Sequence, residues 1–154
     1  MALRTNKVSA RWTGEGMITE VGTRGFTVRL DEPLEMGGQN VAMTPTELLL
    51  CSLAGCTAVM VSLFAPQLGV TLQDVRMDVE GDMDLAGVQG VDPHVRPGFQ
   101  SVRTKLTIVS DSPREKVSQL AQLAIARCPV TDTLKGVTLR SSYEVIRGDQ
   151  VGKV

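Results

Sequence analysis

Thr44-Pro45-Thr46-Glu47-Leu48-Leu49-Leu50-Cys51-Ser52-Leu53-Ala54-Gly55-Cys56-Thr57-Ala58-Val59-Met60-Val61-Ser62-Leu63-Phe64-Ala65-Pro66 is the stretch whose reading decides the fold. Its start carries three helix signals together. Thr44 suits the N-cap, where a side-chain oxygen takes a free backbone N–H. Pro45 suits the first helical position, where no N–H is needed. Glu47 stands three residues after the cap and completes a capping box. Pro66 and Gly69 end the helix near Ala65. From Leu48 to Gln73 there is no charged residue.

A helix of roughly 20 residues without a polar face has two homes, a bilayer or a protein core. Ser52, Thr57 and Ser62 interrupt this one, and no Lys or Arg cluster flanks it to set an orientation. The rest of the chain reads as amphipathic strands and a second helix, which need something to pack on. The expectation is therefore a core helix and no membrane. A chain of 154 residues hardly covers such a helix alone, so a homodimer is expected.

Working outward, Lys7–Trp12, Met17–Val21 and Phe26–Leu30 read as strands of a meander, punctuated by Gly14, Gly16, Gly22 and Gly25. Residues 31–43 form a loop. Leu72–Glu80 and Val102–Ser110 alternate apolar and polar residues and read as two more strands. Between them lies a Gly- and Pro-rich loop over 81–100. Ser112-Pro113-Arg114-Glu115 repeats the capping pattern and opens a helix that ends at Cys128-Pro129. Val137–Ile146 reads as a last strand and 148–154 as a loose tail. The class is α+β, in one domain over residues 1–154: antiparallel meanders packed around a long buried central helix.

Composition narrows the function. A formal net charge of −1 and five aromatic residues argue against nucleic acid, which wants a basic face and stacking platforms. Three cysteines cannot all pair, and residues 1–10 hold no apolar run of signal-peptide length, so a reducing, cytoplasmic setting is expected. One histidine, His94, and cysteines without a CxxC spacing make a poor metal site. No metal and no cofactor are expected.

The cysteines carry the candidate chemistry. Cys56 lies mid-helix and reads either as a small buried hydrophobe or as a reactive thiol. The second reading needs a positive charge or a donor from elsewhere, because burial alone raises a thiol's pKa. Cys128 is either the last residue of one helix or the N-cap of a short turn, Pro129-Val130-Thr131-Asp132. In the second place it feels the positive end of the helix dipole. Cys51 precedes Cys56 by five residues and points about 140° away around the helix, so it reads as inert core.

Pro45-Thr46-Glu47-Leu48-Leu49, Leu53-Ala54-Gly55-Cys56-Thr57-Ala58 and Cys128-Pro129-Val130-Thr131-Asp132-Thr133-Leu134 resemble the cysteine motifs of the OsmC/Ohr family of thiol peroxidases. The order of elements is similar over nearly the whole chain. The resemblance implies an intertwined dimer with its sites at the subunit interface. It implies that Cys56 is peroxidatic and Cys128 resolving, that a small-molecule peroxide, preferably organic, is reduced, and that an external dithiol regenerates the pair, a lipoyl group being one candidate. It also implies an activating arginine in the N-terminal strands and a glutamate near the helix start. Residues 12–17 hold no arginine; Arg11 and Arg24 are the nearest. Glu47 stands opposite Cys56 on a regular helix and already serves the capping box. A small-molecule or acyl-group binder, or a redox sensor without efficient turnover, is the alternative reading of the same pair.

Overall fold

A computed structural model describes residues 3–135. The strand expected at Val137–Ile146 and the tail at 148–154 lie outside the described residues. The chain opens with β1 (Ser9–Trp12), β2 (Thr19–Thr23) and β3 (Phe26–Leu30), an antiparallel meander in that order. β2 starts two residues later than its apolar pattern suggests and runs through Gly22. A Cβ at Gly22 would stand 3.0 Å from the Phe26 carbonyl oxygen, so this glycine serves a close strand approach, not a break. The turn is Arg24-Gly25, both at positive φ (53° and 87°). Such a pair suits the twist of a two-residue hairpin.

The loop that follows is tied to one buried side chain. Asp31 Oδ2 accepts the backbone N–H groups of Gln39 at 2.9 Å and Val41 at 3.2 Å, while the Asp31 N–H reaches the Met43 carbonyl at 3.2 Å. Burial works to raise the Asp31 carboxyl pKa, and the backbone donors outweigh it and bring the pKa down. This anchoring sets where the next helix begins.

The central helix, α1 (Pro45–Phe64), starts as its sequence demands. The Glu47 N–H donates to Thr44 Oγ1 at 3.1 Å, and the Thr44 N–H donates to Glu47 Oε2 at 2.8 Å. Beyond it come β4 (Asp74–Asp82), a one-turn α2 (Leu85–Val88), β5 (Ser101–Val109), α3 (Arg114–Ala126) and α4 (Pro129–Leu134). β4 and β5 pair antiparallel in a second sheet. The expected second capping box is absent, and Pro113 takes the N-cap position without a side-chain bond. The reason is tertiary: the Ser112 hydroxyl accepts the Thr71 N–H at 2.9 Å and so ties the approach to β4.

Val61 of α1, its C-cap Ala65, Val70, and Leu120 and Ala124 of α3 form the buried core, with Val75, Leu106 and Ile108 packed against it from the sheet. The segment Pro45–Leu68 is long and apolar enough to cross a membrane. Here it is the element on which β4, α3 and α4 pack. The described residues bury one stripe of it, Leu53, Thr57 and Val61, and leave Leu49, Val59 (60 % exposed) and Leu63 (53 % exposed) uncovered.

Candidate functional site

Cys56 and Cys128 meet beside the buried stripe of α1. Their thiols are near enough for each to shift the other's pKa. Cys56 is half-buried and Cys128 fully so, at 0 % exposure. The local sequence explains the second sulfur's position. Arg127 closes α3 with its N–H on the Leu123 carbonyl, and Pro129 cannot continue that helix. Cys128 therefore turns extended (φ −71°, ψ 113°) and takes the N-cap position of α4. Proline at N1 is the residue that gives up no hydrogen bond there.

The first turn of α4 then points donors at both sulfurs. The Val130 N–H works on Cys56; the Thr131 hydroxyl and N–H work on Cys128. The two thiols respond in opposite directions. Burial pushes the Cys56 thiol up, and the Val130 N–H only partly opposes it, while a neighbouring Cys128 adds to the rise. Burial also works against ionisation of Cys128. It is outweighed there by the Thr131 donors, by Thr57 and by the Cys56 thiol, which bring Cys128 down from 9.0 to about 7. The buried sulfur is thus the easier one to ionise.

Thr57 was legible only as a polar interruption of an apolar helix. Its side chain is buried, with Oγ1 3.0 Å from the Leu53 carbonyl and 3.6 Å from Cys128 Sγ. A cavity of about 230 Å³ opens beside it, lined by Leu53, Met77, Val102, Ile125 and Leu134 and by the threonines Thr57, Thr104 and Thr131.

The other candidate residues lie elsewhere. Glu47 is exposed and its carboxylate is engaged by the Thr44 N–H. Arg11 is exposed on β1, and the Arg24 guanidinium lies 5.6 Å from the Phe26 ring centre at the β2–β3 turn. Cys51, expected in the core, is exposed. It faces an open cleft of about 720 Å³ between α1 and the β4–β5 hairpin, beside Leu50, Met77 and Arg103. The 140° turn from Cys56 carries it off the stripe that α3 and α4 cover. Among the described residues, no three His, Cys, Asp or Glu side chains cluster as metal ligands.

Comparison with known proteins identifies the architecture. The family described as OsmC-like protein matches residues 37–142. An OsmC-like protein from Mycoplasma pneumoniae superposes with a TM-score of 0.73 at 21 % identity, over 87 % of this chain and 89 % of its own. An organic hydroperoxide resistance protein OsmC from Legionella pneumophila gives 0.62 at 23 % identity, over 88 % and 93 %. An OsmC-like hydroperoxide resistance protein from Jannaschia gives 0.53 at 22 % identity, over 86 % and 85 %. No curated protein matches the chain significantly. With two thirds of its length matched by the family and its fold shared with these structures, the chain belongs to the OsmC-like family.

Proposed function

We propose that the chain is a cysteine-based hydroperoxide reductase of the oxidative stress response, with Cys56 peroxidatic and Cys128 resolving. The observation that carries this reading is the proximity of two thiols from distant parts of the chain, one half-buried and one buried, each of which shifts the other's pKa. The names of the Legionella and Jannaschia relatives, both hydroperoxide resistance proteins, agree with it.

In the proposed cycle the Cys56 sulfur attacks a peroxide oxygen. The O–O bond breaks, the leaving alkoxide takes up a proton as the alcohol, and Cys56 becomes a sulfenic acid. Cys128 attacks that sulfur, a disulfide forms and water leaves. An external dithiol, such as a lipoyl group, reduces the disulfide by exchange and is itself oxidised. The apolar side chains lining the cavity beside Thr57 favour an alkyl hydroperoxide over hydrogen peroxide, since burying apolar surface returns about 25 cal/mol per Å². The uncovered apolar face of α1 supports a homodimer, and three free cysteines suit a cytoplasmic setting.

A second reading rests on the raised Cys56 thiol: a binder or slow redox sensor that oxidises once and does not turn over. Mass spectrometry after addition of cumene hydroperoxide tests the pair. A Cys56–Cys128 disulfide is expected, and a Cys51–Cys56 bond would overturn the roles. Sustained peroxide loss in the presence of a dithiol separates the enzyme from the sensor.

A further inference from the structure

The geometry points to Thr57 as the positioning residue of the dithiol: its hydroxyl serves as acceptor for the neutral Cys128 thiol and as donor to its thiolate, and so governs which of the two sulfurs gives up its proton first. The inference rests on the Cys56–Cys128 pair acting as a redox unit.

A threonine inside a helix commonly spends its hydroxyl on the carbonyl four residues back, and Thr57 does so, 3.0 Å from the Leu53 oxygen. That carbonyl lies within α1, where the backbone ladder already uses it, so the bond is dispensable to the helix. The same oxygen stands 3.6 Å from Cys128 Sγ, within reach for sulfur. Thr57 is 1 % exposed and Cys128 0 %, so neither group is solvated by bulk water in the folded chain. One hydroxyl holds one proton and two lone pairs. With Cys128 neutral, the proton rests on the Leu53 carbonyl and a lone pair receives the S–H. With Cys128 ionised, a rotation about one bond turns the proton onto the sulfur. Valine has the same shape and can do neither.

The titratable groups around Cys128 are Cys56 on α1, Arg127 at the end of α3 and Asp132 in α4, whose N–H bonds the Cys128 carbonyl. Of these, Cys56 reaches the sulfur. Thr131 supplies the remaining donors from α4, so loss of Thr57 weakens the preference without erasing it.

The test is a pH titration of the reduced full chain carrying ¹³Cβ-labelled cysteine, followed by NMR, with the Cys128 signal assigned from Cys128→Ser. In Thr57→Val the Cys128 midpoint is expected to rise by about one pH unit, the size of one charge-assisted hydrogen bond lost. Thr57→Ser is expected to keep the parental midpoint. An unchanged midpoint in Thr57→Val overturns the inference, as does a Thr57→Ser shift equal to that of valine. Should the valine chain fail to fold, Thr57→Ala is titrated in its place with the same outcomes. No peroxide enters the titration, so its result stands apart from the disulfide test of the redox pair.

Discussion

Along one side of α1, Leu53, Thr57 and Val61, followed by the C-cap Ala65, recur every four residues and lie shut beneath β4, α3 and α4. Along the other, Val59 and Leu63 are as apolar and stand in the open. Hydrophobicity alone does not tell the two apart. What does is the chemistry at the margin: the covered side carries Thr57, Cys56 stands between it and the open row seven residues before Leu63, and Cys51 faces the cleft beside β4 and β5. The covered side is a completed core with a redox pair at its edge. The open side is an apolar surface of the kind that marks an interface.

The sharpest test of that contrast lies at the covered edge. Cys56→Ser is expected to abolish peroxide consumption. Cys128→Ser should allow a single oxidation and leave a sulfenic acid that a dimedone probe traps. Consumption persisting in Cys56→Ser would move the reactive sulfur elsewhere. On the open side, Val59→Glu with Leu63→Glu should convert dimers to monomers, because two charges cannot be desolvated without partners. Light scattering that finds the parent monomeric at micromolar concentration would break the contrast.

A smaller effect reads the covered side through pH. Cys128 ionises near pH 7 in the folded chain against an ordinary value of 9.0. A thiol depressed by folding stabilises the fold fully above its unfolded value, and the benefit is lost as pH falls through the folded one. The melting temperature of the reduced chain should therefore climb between pH 7 and 9 relative to Cys128→Ser. Cys56, raised by burial, pulls the other way above that window. A flat difference between the two chains across the window would mean that Cys128 is not specially held.

The smallest effects belong to residues outside the pair. Glu47→Ala should cost about 0.5–2 kcal/mol by denaturant melting, as capping losses do, while Glu47→Gln costs little. Neither should change the rate of Cys56 oxidation more than a few-fold in stopped flow, and Cys51→Ser should change nothing. A hundred-fold slower Glu47→Gln with unchanged melting would make the carboxylate catalytic.

Local signals in the sequence reached as far as local physics goes. The start of α1 was legible because Thr44, Pro45 and Glu47 satisfy one another within a single turn. The place of Cys128 was half legible: Pro129 marked the helix end beside it, but whether Cys128 closed that helix or capped the next was open until the fold showed it as the N-cap of α4. Ser112 carried the same capping pattern and was misleading, since a hydroxyl that caps can equally serve a distant N–H, here that of Thr71. The one-turn α2 was hidden in a loop rich in glycine and proline. Thr57 was invisible as a site residue because its second partner comes from the other end of the chain. The exposure of Cys51 depends on what covers α1, which no local pattern records.

The meeting of Cys56 and Cys128 has a thermal consequence as well as a chemical one. Their sulfurs belong to points some seventy residues apart, and a bond between them would close that long loop. In the chain-entropy view, tying so large a loop denies the unfolded chain freedom worth about 4 kcal/mol. The oxidised protein would then outlast the reduced one on heating and under proteolysis, so that the redox history of the molecule is written into its lifetime.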